Sequence, residues 1–152
     1  MNNEQSIHKI RIQLTRLFKN QKFTVLSTSD AGQPYNSLVA FTASPDLTGI
    51  VFATERATRK YANLTADPRV SLLMDNRTNR AADFQRATAV TAIGTARELG
   101  MDERVSLERA FLLRFPDLTE FVKLPDCALM NVEISKYYVV SRFQQMMVWN
   151  VK

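Results

Sequence analysis

Cysteine and histidine are almost missing from this chain: one of each in 152 residues, Cys127 and His8. A lone cysteine permits no intramolecular disulfide, and the pair cannot assemble a thiolate or imidazole metal site. A Ser–His–Asp device would have to recruit His8, and no Gly-x-Ser-x-Gly elbow accompanies it. Glycine is scarce too, at four residues, and no Gly-x-Gly-x-x-Gly or Walker-type phosphate loop can be found. No apolar run approaches the ~18 residues that a membrane-crossing helix needs. The first residues lack the basic start and apolar centre of a leader peptide, so a cytoplasmic protein is the expectation. With these devices excluded, any chemistry falls to a bound cofactor.

What is present is a globular composition, 45% apolar and 23% charged. The formal charge of +5 comes from Lys and Arg scattered along the chain. Scattered basicity without interleaved aromatics argues against a nucleic-acid-binding barrel and suits a pocket for a small anion.

Ile7, Ile10, Leu14, Leu17 and Phe18 recur at spacings of three and four, predicting an amphipathic helix over 4–20. Strands are predicted over 23–29 and 35–42, joined by the turn Asp30-Ala-Gly-Gln-Pro34, and a third over 50–54. A helix over 58–66 stops before Pro68, and a fourth strand follows over 69–75. Residues 76–84 read as an irregular polar loop, and 88–98 as a long fifth strand in which Gly94 marks a bulge or a close backbone approach. Asp102 is the expected N-cap of a helix running to about Phe115 and ended by Pro116, with a short helical turn over 119–122. Strands over 130–141 and 143–149 complete the chain. Strand and helix do not alternate as in a parallel doubly wound sheet. One domain over 1–152, a closed antiparallel β-barrel with peripheral helices, is the economical architecture, because closure removes exposed edges.

The most informative stretch is 52–74. Its strand ends at Thr54, its loop carries Arg56, and its helix opens at Thr58 with Arg59 and Lys60 in the first turn. Cations there oppose the helix dipole by a few tenths of a kcal/mol, a penalty that a bound anion reverses. Backbone N–H groups converge at the same point, so a phosphorylated ligand is expected, the alternative being a solvated helix start. On the second strand, alternation puts Asn36, Leu38 and Ala40 on one face and Tyr35, Ser37, Val39 and Phe41 on the other. Asn36 and Ser37 could donate to a ligand ring at a barrel mouth. Asn76 and Arg77 form a polar cluster past the fourth strand. Trp149 could stack on a cofactor, although a tryptophan there is more often core.

The order strand–Asp-Ala-Gly-Gln-Pro–strand–Phe-Ala-Thr54–loop–Thr58-Arg-Lys60–x-x-Asn63-Leu64–x-x-Asp-Pro68-Arg-Val-Ser-Leu-Leu resembles the pyridoxamine 5′-phosphate oxidase-like, FMN-binding split-barrel family over 23–98. The resemblance implies a six-stranded Greek-key split barrel with peripheral helices and an obligate homodimer holding FMN at its interface. It implies that Thr54, Thr58, Arg59 and Lys60 hold the FMN phosphate, and that Asn36, Ser37, Leu38 and Val39 line the ring and ribityl chain. Oxidase members carry Arg where this chain has Asn36, which makes Arg56 or Arg77 the replacement cation. Asn76 and Arg77 are implied to reach the flavin across the dimer. Oxidase members also carry a flavin-contacting Gln where this chain has Ala89, and their C-terminal Trp and Arg segment is not recognisable in 139–149. The implied activity is that of a flavin reductase-like FMN-dependent oxidoreductase rather than true pyridoxamine phosphate oxidation, passing electrons from a reduced donor to a small substrate. A non-catalytic flavin-binding or electron-storage protein, or a deazaflavin or haem binder on the same fold, are the alternatives.

Overall fold

The structure, a computed structural model, describes residues 3–142 and 144–152. Its elements run α1 (Asn3–Asn20), β1 (Phe23–Asp30), β2 (Gln33–Ala40), β3 (Thr42–Ala43), β4 (Gly49–Glu55), α2 (Arg59–Ala66), β5 (Arg69–Asp75), α3 (Asp83–Arg86), β6 (Ala89–Glu98), α4 (Met101–Arg114), α5 (Thr119–Val122), β7 (Cys127–Ser141) and β8 (Gln145–Asn150). The strands form one antiparallel sheet in the order β2-β1-β5-β6-β7-β4-β3, with β8 beside β7.

The sheet curls until its ends meet. β3 continues β2 across Phe41, and it pairs with β4 through Thr42↔Val51 and Ala43↔Ile50. One run of chain therefore borders β1 at its start and β4 at its end, giving six staves: β2 with β3, then β1, β5, β6, β7 and β4. Closure is partial. Among the described residues β2 pairs with β1 alone, so it stands apart from the upper half of β4, and this opening is the split of a split barrel. β7 is long enough to serve two neighbours along one edge, β4 at 127–133 and β8 at 136–141.

Alternation along the strands fills the interior. The register aligns Leu26, Leu72, Ala92, Tyr137 and Trp149 in one inward row, all of them buried. α1 closes one end of this core with Ile10, Leu14, Leu17 and Phe18, the stripe its sequence spacing predicts. A second, smaller core lies outside the barrel wall, where Val51 of β4 and Leu129 of β7 meet Phe111 of α4, Phe115 just after it and Val122 of α5. β4 is thus covered on both faces, which is why Ile50, Val51 and Phe52 are all buried in succession.

Several expectations need correction. α4 starts at Met101 with Gly100 as its cap, and Asp102 lies in the first turn without capping it. An acid there still complements the helix dipole, so the sequence signal was real but displaced by two residues. The loop after β5 contains the one-turn helix α3, and β7 begins at Cys127, three residues early. The expected start of the last strand, Phe143, lies outside the described residues. Gly94 has both properties its position suggested. The β6–β7 register shifts between Ile93 and Gly94, and a Cβ at Gly94 would collide with the carbonyl of Glu133 and lie 2.8 Å from Val132 Cγ1.

Candidate functional site

The split opens into a cleft of about 390 Å³. One wall is β2 with Leu38, Val39 and Ala40, and the opposite wall is β4 with Ala53, Thr54 and Glu55. Thr58 and Lys60 close the polar end. Phe111, Leu118 and Phe121, from the outer core, join Phe23 to make the rest of the lining apolar. A cleft with one polar, cationic end and an aromatic body matches an amphipathic ligand with an anionic tail.

The polar end is built around a capped helix. Thr58 is the N-cap of α2, with extended backbone angles and a hydroxyl that accepts from the Tyr61 N–H. That hydroxyl also donates to the Glu55 carbonyl (2.8 Å) and lies 2.9 Å from the buried Thr54 hydroxyl. The two threonines thus define the turn from β4 into α2 and turn the N–H groups of the first helical turn outward. Lys60, half-buried in the cleft wall, has no ion-pair partner among the described residues. Glu55, exposed, is the only acid in the lining.

α2 is clamped in place from two sides. Asn63, buried on its inner face, donates to Thr28 of β1 (3.0 Å), and Leu64 enters the barrel core beside it. On the other side Glu98, at the end of β6, accepts from the Tyr61 hydroxyl (2.7 Å) and from the Arg56 guanidinium. Arg56 also donates to the Pro125 carbonyl, and its backbone N–H to that of Asp126. The Arg56 guanidinium holds the Glu98 carboxyl below the usual carboxylate range, and the same carboxylate raises the Tyr61 phenol.

Of the residues singled out from sequence, the fold brings Leu38, Val39, Thr54, Thr58 and Lys60 together in the cleft. Arg59 sits beside it on the exposed side of α2, paired with Asp30 (3.0 Å) and lying over the Tyr35 ring. Asn36 accepts from the Ser27 hydroxyl (2.5 Å) higher on β2, and Ser37 is half-buried next to it; neither lines the cleft. Arg56 is a strut of the cap loop rather than a lining cation, because Glu98 and Pro125 engage it. Asn76 accepts from the Thr88 N–H (2.7 Å) and Arg77 pairs with Asp75, so both brace the loop after β5 away from the cleft of their own chain. Trp149 is core, stacked on Tyr137 at 5.6 Å with Arg11 over its ring. Sequence reasoning missed the aromatic wall of α4 and α5, and it missed Glu98. Helical spacing marks Phe111 only as buried, and no local signal links Glu98 to a loop some forty residues earlier.

Among the described residues no group of three or more His, Cys, Asp or Glu side chains could hold a metal ion, and no helix is long and apolar enough to cross a membrane.

Comparison with known proteins agrees with this architecture. The chain is 34% identical over 84 residues to a pyridoxamine 5′-phosphate oxidase homolog of Schizosaccharomyces pombe, covering 49% of this chain and 44% of that protein. It therefore spans less than half the length of this curated relative. Among solved structures, a haem-binding protein from Mycobacterium smegmatis superposes with a TM-score of 0.80 at 18% identity, over 92% of this chain and 57% of that one. A FAD-binding protein from Mesorhizobium loti gives 0.68 at 15% identity, over 84% and 91%. At such identities the likeness is one of fold. The family model described as pyridoxamine 5′-phosphate oxidase matches residues 10–140, the greater part of the sequence, and the chain belongs to that family.

Proposed function

We propose that this protein binds FMN in the β2–β4 cleft, phosphate toward the N-terminus of α2, and works as an FMN-dependent oxidoreductase of the flavin reductase-like kind. The observation that carries the reading is the half-buried Lys60, without an ion-pair partner among the described residues, beside the capped first turn of α2 at the polar end of a mainly apolar cleft. An FMN phosphate carries about −1.5 to −2 charges at neutral pH, and both a helix N-terminus and a cation stabilise it. Leu38, Val39, Phe111 and Phe121 offer an apolar bed for a planar ring system. When bound, FMN supplies the redox chemistry, exchanging a hydride or electrons between a reduced donor and a small substrate. The chain's own residues anchor the phosphate, orient the ring and keep water from its apolar face. No side chain in the cleft lining is a histidine, cysteine or tyrosine, so protons come from solvent or substrate.

Haem, which a structural relative binds, fits these residues less well. Among the described residues the cleft lining offers no histidine, cysteine, methionine or tyrosine as an axial ligand, and His8 lies on α1, outside that lining.

The site is completed, in this reading, by a second copy of the chain. Leu38, Val25, Leu73, Thr91, Tyr138 and Val148 lie side by side across six strands on the outward face of the sheet. Leu38 is 69% exposed, and Leu73 and Val148 are also exposed. A largely apolar, partly exposed row of this kind marks a protein interface, and it runs to the lip of the cleft at Leu38. Asn76 and Arg77 then have a route to the flavin of the partner subunit.

The test is a spectrum of the protein as purified, with mass analysis of what denaturation releases. The expected result is flavin absorbance near one FMN per chain. Colourless protein that takes up no added FMN overturns the proposal. Steady-state NAD(P)H oxidation with an electron acceptor then separates an enzyme, which turns over, from a flavin-storage protein, which does not.

A further inference from the structure

We infer that Glu98 is a positioning residue for the ligand phosphate: it touches no ligand itself but fixes the loop and helix turn that present Lys60 to the cleft. The inference rests on the FMN reading and deepens it.

Thr58 and Lys60 lie between two residues that share one carboxylate. Arg56, two residues before the cap, donates to one oxygen of Glu98, and Tyr61, three residues after the cap, donates to the other at 2.7 Å. Glu98 ends β6, a strand paired over ten positions with β7, so the carboxylate is mounted on the sheet rather than on a loop. Arg56 extends the tie to a third element through the Pro125 carbonyl (3.0 Å), just before β7. A six-residue stretch, 56–61, is thus bracketed at both ends from one fixed point. Left alone, such a turn would sample several conformations, and ordering it on binding would cost affinity.

The arrangement also sorts the charges. Arg56 and Glu98 neutralise one another, with side chains about one third exposed. Arg59 is held by Asp30 outside the cleft. Lys60 is left as the cation of the lining, aimed by a turn that Glu98 holds. Removing the carboxylate loosens this turn without touching the apolar bed of the ring. Its effect therefore falls on the phosphate and leaves the ring contacts alone.

The experiment compares FMN with riboflavin, which lacks the phosphate, by fluorescence titration of the full-length wild type, Glu98→Ala and Tyr61→Phe. Tyr61→Phe removes one hydroxyl only and keeps the test valid should Glu98→Ala fold poorly. Both variants are expected to lose about tenfold in FMN affinity and to change riboflavin affinity by less than about twofold, as supporting groups behind a binding site do. Wild-type protein that binds the two ligands equally overturns the FMN-phosphate reading, and this inference with it. Wild type that prefers FMN while both variants keep the full preference overturns this inference alone. So does a loss that falls equally on both ligands, which is what a merely structural role produces.

Discussion

Adjacent cations at the start of α2 have different fates. Arg59 is exposed and already shares a carboxylate with Asp30, so recruiting it to a ligand breaks one weak ion pair to form another. Lys60 is half-buried and, among the described residues, has no acid to leave. Lys60→Ala is therefore expected to weaken FMN binding by about tenfold, or ~1.4 kcal/mol, and Arg59→Ala by clearly less. Isothermal titration of both variants checks the ranking, and the reverse order contradicts the account. Asp67, which caps the far end of α2, tests the same helix by pH. The Arg69 side chain, first by its hydrogen bond, holds the Asp67 carboxyl at about 2, against an ordinary 3.8. A depressed folded-state value stabilises the protein above the unfolded value and is lost as pH falls through the folded one. Asp67→Asn should therefore flatten the decline in stability between pH 4 and pH 2, measured by denaturant melts across that window. An unchanged decline would show that the pair carries no acid sensitivity. At this scale Thr58 and Lys60 were legible in sequence because a helix cap is a local signal. The tie of Arg56 to Glu98 was not legible for the opposite reason: Glu98 lies on a different strand, and only the fold brings them together.

Between elements, two contacts fix how the sheet and the helices meet. At Gly94 the β6–β7 ladder shifts by one residue, and the Glu133 backbone passes where a side chain would stand. Gly94→Ala should cost about 1–3 kcal/mol, read as a lower midpoint in thermal or urea unfolding. Wild-type stability would mean that the ladder yields there freely. Arg114, at the end of α4, donates to the carbonyls of Phe18 and Gln21 at the end of α1 and of Phe41 between β2 and β3 (2.9 Å). Its guanidinium lies between the rings of Phe41 and Phe115. It is a pin joining the barrel to the outer helices without any carboxylate. The elements themselves were readable because local pattern sets helix and strand alike: the α1 stripe, the 69–75 span of β5 and the Pro68 stop all fall where the sequence puts them. α3 was not, since a single turn has no period to read. The start of α4 was blurred because Gly100 caps it without a side-chain hydrogen bond, whereas acids two and three residues later carry the sequence signal.

For the whole molecule, barrel closure was legible in the succession of antiparallel strands, but the position of the split was not. It depends on β2 ending at Ala40 and handing its pairing to β3, a bend that no residue near Phe41 announces. The outward apolar row is likewise invisible until register places Leu38, Leu73 and Val148 side by side. In the proposed dimer, Leu73→Glu puts a charge in the middle of that row. Light scattering should then show a monomer in place of a dimer, with FMN affinity falling because the partner's half of the site is lost. A variant that stays dimeric would move the interface elsewhere on the surface. The central claim is that a phosphate binds where β4 turns into α2. A crystal structure grown with FMN addresses it most directly. The account predicts phosphate density within ~3 Å of Lys60 Nζ and of the first N–H groups of α2, with the ring lying between β2 and β4. Density for the phosphate anywhere else, or a β2–β4 cleft left without ligand, would contradict it.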